Sequence, residues 1–266
     1  MLTHIGTEAD LDAAIEALTQ ADPRFNPLIA RAGRPPLRRR PDGFTGLAST
    51  VVAQQLSTAS ASAIWGRLAA AYDPFEPAAI IRARPARLAR LGLSAAKIKA
   101  LKEIARAVAS GRLALTTLAG IPADDAHAML TAVHGIGPWT ADIYLLACLG
   151  HADAWPAGDL ALQEAARLAF SLGARPSAKE MIALAEGWRP LRAVAARVLW
   201  TYYRAIKGRE GAPALPKAEA SATTSDSTRK QSAKSNTTRS SKSRSARARS
   251  AEISMHIKQN GRRHAR

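Results

Sequence analysis

The chain has 266 residues, 47% of them hydrophobic, with a formal net charge of +17 and a pI of about 11.0. Its single cysteine, Cys148, excludes an intrachain disulfide and any four-cysteine iron–sulfur cluster. No apolar run is long enough to span a bilayer, and the opening MLTHIGTEAD lacks a signal-peptide pattern. An intracellular protein with no membrane partner is expected. Charge divides unevenly: residues 1–208 hold 24 Lys and Arg against 17 Asp and Glu, and residues 209–266 hold 14 against 4. Both parts are basic, which points to nucleic acid, whose binding gains from counterion release.

Leu11, Ala14, Ile15 and Leu18 follow the spacing of an amphipathic helix over 8–20. A Pro- and Arg-rich connector, 31–41, ends in Arg38-Arg39-Arg40 and Pro41. Asp42-Gly43 then enters a second helix marked by Phe44, Leu47, Ala48, Val51 and Val52. Gln55 continues that apolar face, where an amide needs a partner. A helix over 60–72 follows, and then one or two short helices in 74–91, broken by Pro77 and Pro85. Ser94 caps a helix with Ile98, Leu101, Ala105 and Val108 inward. Lys97 and Lys99 read as its solvated edge.

Residues 122–132 form a helix that meets Gly135-Ile136-Gly137-Pro138. Glycine permits a tight turn and close backbone approach, and proline suits the first position of the next helix, Trp139 to about Leu149. Backbone N–H groups at such a helix start can hold a phosphate oxygen. Carbonyls of Thr131, Val133 and Ile136 on the same turn could hold a monovalent cation, sodium or potassium. These contacts would position DNA without reading its sequence. Beyond the loop 150–159, a helix over 160–170 turns Leu162, Ala165, Ala166 and Ala169 inward, Ser177 caps another through Glu186, and Leu191–Lys207 is a last patterned helix. Every element is helical, so the body is all-α.

The run Val133-His134-Gly135-Ile136-Gly137-Pro138-Trp139-Thr140-Ala141, followed by Trp155-Pro156-Ala157-Gly158-Asp159, resembles the helix-hairpin-helix (HhH-GPD) DNA glycosylases. Relatives that also nick the backbone carry lysine where this chain has Trp139, so the resemblance is to the monofunctional alkylpurine branch, 3-methyladenine DNA glycosylase II. It covers about residues 10–207 and implies a compact two-lobed helical body, 1–208, with the cleft between lobes. The hairpin falls at about 123–149, and the loop 150–159 delivers Asp159. Residues 209–266, rich in Ser, Lys and Arg, form a basic tail expected to be disordered.

The implied function is base-excision repair: hydrolysis of the N-glycosidic bond of alkylated purines, 3-methyladenine and 7-methylguanine among them, in double-stranded DNA. The protein would act as a monomer, DNA-associated in the cytoplasm or nucleoid if bacterial, and an AP endonuclease would take its product. Asp159 is the catalytic candidate, because a carboxylate beneath the sugar stabilises its oxocarbenium-like transition state. As an Asp ahead of a helix it is also a natural N-cap. Trp139, Trp188 and Trp200 match family pocket aromatics, with Trp200 off the apolar face of the last helix. Gln54-Gln55-Leu56-Ser57 resembles the segment that places a wedge, Leu56, in the gap left by a flipped nucleotide, with Gln55 near the lesion and Ser57 at the DNA. Gln54 stands where the family has glycine, and Ile143 and Leu160 stand where some relatives have tyrosine. Val133, Gly135, Ile136, Gly137, Thr140 and Arg192 complete the expected DNA contacts, Arg192 alternatively bracing the last helix against the Asp159 loop. Asp142 and Asp153 read as surface or capping residues. A non-catalytic hairpin clamp would leave Asp159 and Gln55 unexplained, and a bifunctional glycosylase/lyase for oxidised bases would need the missing lysine.

Overall fold

A computed structural model describes residues 2–208, so the tail read from 209 onward lies outside the described residues. Among those residues the regular elements are all helical; one isolated bridge pairs His4 with His151. The helices are α1 (Glu8–Ala21), α2 (Phe25–Ala32), α3 (Gly43–Ala53), α4 (Thr58–Ala71), α5 (Pro77–Arg82) and α6 (Pro85–Arg90). They continue as α7 (Ala95–Ala109), α8 (Ala123–Thr131), α9 (Pro138–Ile143), α10 (Leu160–Ala169), α11 (Ala178–Ala185) and α12 (Arg192–Lys207).

Local chemistry sets the helix starts. Thr7 with Asp10, and Ser177 with Glu180, form capping boxes, while Ser57 and Ser94 cap α4 and α7. Proline opens α5, α6 and α9. Two packing groups result. α7 lies against α3, α5 and α6, burying Ile98, Leu101, Ile104 and Ala105; α12 lies against α1, α2 and α10. One continuous apolar core runs through both.

Three elements differ from the sequence expectation. α2 falls in a stretch read as chain between elements: it has eight residues with Pro27 inside, too short for a periodic signal, and Phe25 and Leu28 anchor it. The expected helix 139–149 is α9 followed by a π-helical segment, Tyr144–Leu149. The wider turns leave carbonyls for other partners, since Leu146 O accepts from Arg197 Nη2 at 3.2 Å and Ala147 O from the Arg40 N–H at 3.0 Å. Finally, α12 has no solvent face from Arg192 to Tyr202, so Trp200 is as buried as the residues of the apolar stripe.

Candidate active site

The loop 150–159 closes on itself before α10 begins. The Ala157 N–H donates to Trp155 O at 2.8 Å, the Asp159 N–H to Pro156 O at 2.9 Å, and Gln163 Nε2 reaches back to Ala157 O at 2.9 Å. These bonds fix Asp159 as the N-cap of α10, its Oδ1 accepting from the Leu162 N–H at 2.9 Å. The same carboxyl group takes two further donors. Trp139 Nε1, from the first turn of α9, lies 2.9 Å from Oδ2, and Trp200 Nε1, from α12, lies 3.2 Å from Oδ1. Capping and site formation thus fall on one side chain. A carboxylate offers about four acceptor positions, and three donors leave one, on Oδ2, for a water or a sugar. Asp159 is only 7% exposed, and α9, α10 and α12 converge on it.

The hairpin turn is built from inside. Val133 and Ile136 bury their side chains, and the Ile136 N–H donates to Val133 O at 3.0 Å. Gly135 adopts φ +96, and a Cβ there would sit 2.8 Å from Ala100 Cα, so α7 packs directly on the turn. Gly137, by contrast, has φ −81, is exposed, and has open space beside its Cα. Of the hairpin residues expected at DNA, Gly137 therefore offers bare backbone to an approaching strand. Val133, Ile136 and Thr140 point side chains inward, and only their backbones could take part.

Thr140 is held by Gln54, whose Nε2 donates to its hydroxyl at 2.7 Å. Here the structure corrects the helix read through residue 55. α3 ends at Ala53, and Gln55 stands beyond it at φ +55, exposed rather than on an apolar face. The carbonyls at the end of α3 are capped by Lys97, whose Nζ reaches Val52 O at 2.7 Å and Gln54 O at 2.8 Å. Lys97 is thus a half-buried cap whose pKa burial pushes down, not a solvated edge. The turn it braces presents Leu56, 38% exposed, next to Ser57 at the start of α4.

Two expected site residues do not join the site. Trp188 is core: its ring packs edge-on against Phe25 at 5.1 Å and Trp155 at 5.5 Å, and its Nε1 donates to Asp22 Oδ2 at 2.8 Å. Arg192 is buried in an ionic network, with Nε 2.7 Å from Asp153 Oδ1 and Nη2 3.1 Å from Asp124 Oδ1. It braces the start of α12 against the Asp159 loop and α8, and faces no open surface a strand could reach. Asp153, also paired with Arg189 at 2.6 Å, belongs to that network rather than to the surface. Asp142 is no surface group either: burial raises its carboxyl well above the usual range, and His127 Nε2 lies 3.8 Å away.

Sequence reading missed Arg197, a buried cation in mid-α12 that donates to the Leu37 and Leu146 carbonyls. A charge three residues from Val194, inside an apolar helix, was the available signal.

Comparison with known proteins places this geometry in a lineage. The model of the HhH-GPD superfamily of base excision DNA repair proteins matches residues 48–190. A probable bifunctional transcriptional activator/DNA repair enzyme AlkA of Mycobacterium tuberculosis is 33% identical over 204 residues, 73% of this chain but 40% of its own length. The present chain thus spans about two fifths of that relative. The DNA-3-methyladenine glycosidase of Bacillus halodurans is 32% identical, covers 73% of this chain and 90% of its own, and superposes with a TM-score of 0.64. The 3-methyladenine DNA glycosylase of Schizosaccharomyces pombe, in complex with abasic DNA, is 27% identical with a TM-score of 0.64, covering 72% of this chain and 95% of its own. By sequence and by fold, the chain belongs to the HhH-GPD superfamily of base excision DNA repair proteins.

Proposed function

We propose that the protein is a monofunctional DNA glycosylase that hydrolyses the N-glycosidic bond of alkylated purines, of the 3-methyladenine and 7-methylguanine type, and leaves the strand intact. The observation that carries this reading is the Asp159 carboxyl group held between the indole N–H groups of Trp139 and Trp200. Breaking the C1′–N bond builds positive charge on the sugar. A fixed carboxylate stabilises that charge without reorganising during the reaction, and its remaining acceptor position on Oδ2 can orient the attacking water. Extruding the base from the duplex comes first. The exposed Leu56 suits an apolar wedge for the vacated step, with Gln55 beside it.

The hairpin would hold the DNA backbone through the N–H groups at Gly137 and the first turn of α9. The carbonyls of Thr131, Val133 and Ile136 would coordinate a monovalent cation shared with a phosphate. Position 139 supports hydrolysis without strand cleavage, since an indole cannot form the Schiff base that a lysine amine would.

The test is methylated duplex DNA incubated with wild-type protein and with Asp159→Asn. Free methylpurine from wild type only, with strand breaks only after alkali, is expected, and the variant should lose at least about a hundredfold in rate. Binding without release by either protein would favour a hairpin clamp instead. Breaks without alkali would mean lyase chemistry.

A further inference from the structure

The positive charge of residues 1–208 has one local source. Residues 77–102 hold seven Lys and Arg and no Asp or Glu, and the remainder of 1–208 holds 17 of each sign. The seven lie on or beside α5, α6 and the first half of α7, and none forms an ion pair among the described residues. Lys97, Lys102 and Arg87 donate to backbone carbonyls, and the Arg87 guanidinium lies 5.0 Å over the Tyr72 ring. Arg82, Arg84, Arg90 and Lys99 are exposed and have no partner among the described residues. Arginines on other faces differ: Arg34 pairs with Glu8 and Asp12, and Arg167 with Glu164.

α6 stands as a ridge between two open hollows, with Ala86 in the wall of both. On one flank Arg82, Arg84, Arg87 and Arg90 line a hollow of about 650 Å³ against Tyr72, at the end of α4. On the other, Lys99, Lys102 and Arg106 of α7 line one of about 480 Å³, Arg106 being paired with Glu103 at 3.5 Å. No acidic side chain lines either hollow among the described residues. Arg84, Arg87 and Arg90 stand three residues apart, so they are neighbours along α6 and repel one another. A polyanion relieves that repulsion and releases its own counterions. Cations on both flanks of a ridge suit the two phosphate backbones of a duplex. The exposed crest, Pro85, Ala86 and Ala89, has no side-chain donor or acceptor with which to read a base.

α7 connects this ridge to the turns expected at DNA. Lys97 caps the turn that presents Leu56, and Ala100 packs on Gly135 of the hairpin. α4 starts beside Leu56 and ends at the arginine hollow. At 1.5 Å per residue its 14 residues put that hollow about 20 Å from the wedge, a span of about six base pairs. We propose, resting on the glycosylase reading, that the α6 ridge is a second DNA contact. It holds the duplex arm on one side of the damaged nucleotide, through phosphates and without regard to sequence.

The test uses two duplexes of equal length, each with a stable abasic-site analogue about three base pairs from one end, roughly 10 Å of helix and short of the ridge. In one the long arm runs 5′ of the analogue, in the other 3′. Arg84→Gln with Arg90→Gln removes two exposed, unpartnered charges and should melt like wild type. The double variant should bind about tenfold more weakly in the one polarity that lays the long arm on the ridge, with a log–log salt slope smaller by about 0.9 per lost phosphate contact. In the other polarity it should bind like wild type. Arg31→Gln with Lys179→Gln, exposed on α2 and α11, should show no such asymmetry. An equal loss in both polarities, the mark of a general field effect, or no loss in either, overturns the arm contact alone. Wild type that does not prefer the analogue to undamaged duplex overturns the glycosylase reading, and the placement of the arm with it.

Discussion

At the scale of single residues, three donors on one carboxyl group set the terms for substitution. Trp200→Phe keeps the ring and removes the N–H from Asp159 Oδ1. The expected result is a stability loss of about 1 kcal/mol in urea melts, with base release slowed several-fold and DNA affinity unchanged. Unchanged release would mean that the indole does not position the carboxylate. Asp22 gives a pH prediction. The Arg24 guanidinium, first, and the Trp188 N–H hold its carboxyl down at about 2 against an ordinary 3.8. A folded pKa below the unfolded one contributes stability that is present above the unfolded value and lost as pH falls toward the folded one. Between about pH 4 and pH 2, wild type should therefore lose about 2 kcal/mol that Asp22→Asn never had, read as converging urea midpoints. Asp159 was legible from sequence as a helix N-cap because Gly158 and α10 adjoin it, and only the family resemblance pointed to a further role. For Arg192 the sequence left two roles open, strand contact or brace, and could not decide between them, because its partners Asp153 and Asp124 lie 39 and 68 residues away in the chain.

Elements show the same division between local and distant causes. The hairpin was legible because two glycines and a proline specify a turn and a helix start by themselves. The end of α3 was not, since its apolar rhythm runs on to Gln55 and its stop is a lysine cap 43 residues further along. α2 and the π-helical turns gave no periodic signature of their own. The two hairpin glycines now separate into different roles. Gly135→Ala meets both a positive φ and Ala100, so a loss of about 1–3 kcal/mol is expected, read as a lower Tm. Gly137→Ala meets neither and should melt like wild type. If a DNA strand approaches the turn there, it should nonetheless bind a duplex several-fold more weakly; equal binding by gel shift would remove the hairpin from the interface.

For the whole molecule, charge is the controlling quantity. Residues 209–266 carry 14 Lys and Arg against 4 Asp and Glu, more net charge than the 208 residues before them. Truncation after Gly208 should leave single-turnover base release at saturating protein unchanged. It should also weaken DNA binding and flatten the dependence of log affinity on log salt, by a slope of about 0.9 for each phosphate that the tail had neutralised. An unchanged slope would show that the tail neutralises no phosphates. One feature of the folded body reaches beyond these tests. Five tryptophans emit from this protein, and two of them, Trp139 and Trp200, hydrogen-bond the charge on which the proposed chemistry depends. Trp155 and Trp188 are tied instead to Met181 O and Asp22. The molecule thus carries an unlabelled optical reporter at its proposed reaction centre: a duplex that displaces either indole from Asp159 should change the emission, so that the entry of a nucleotide there can be timed against base release.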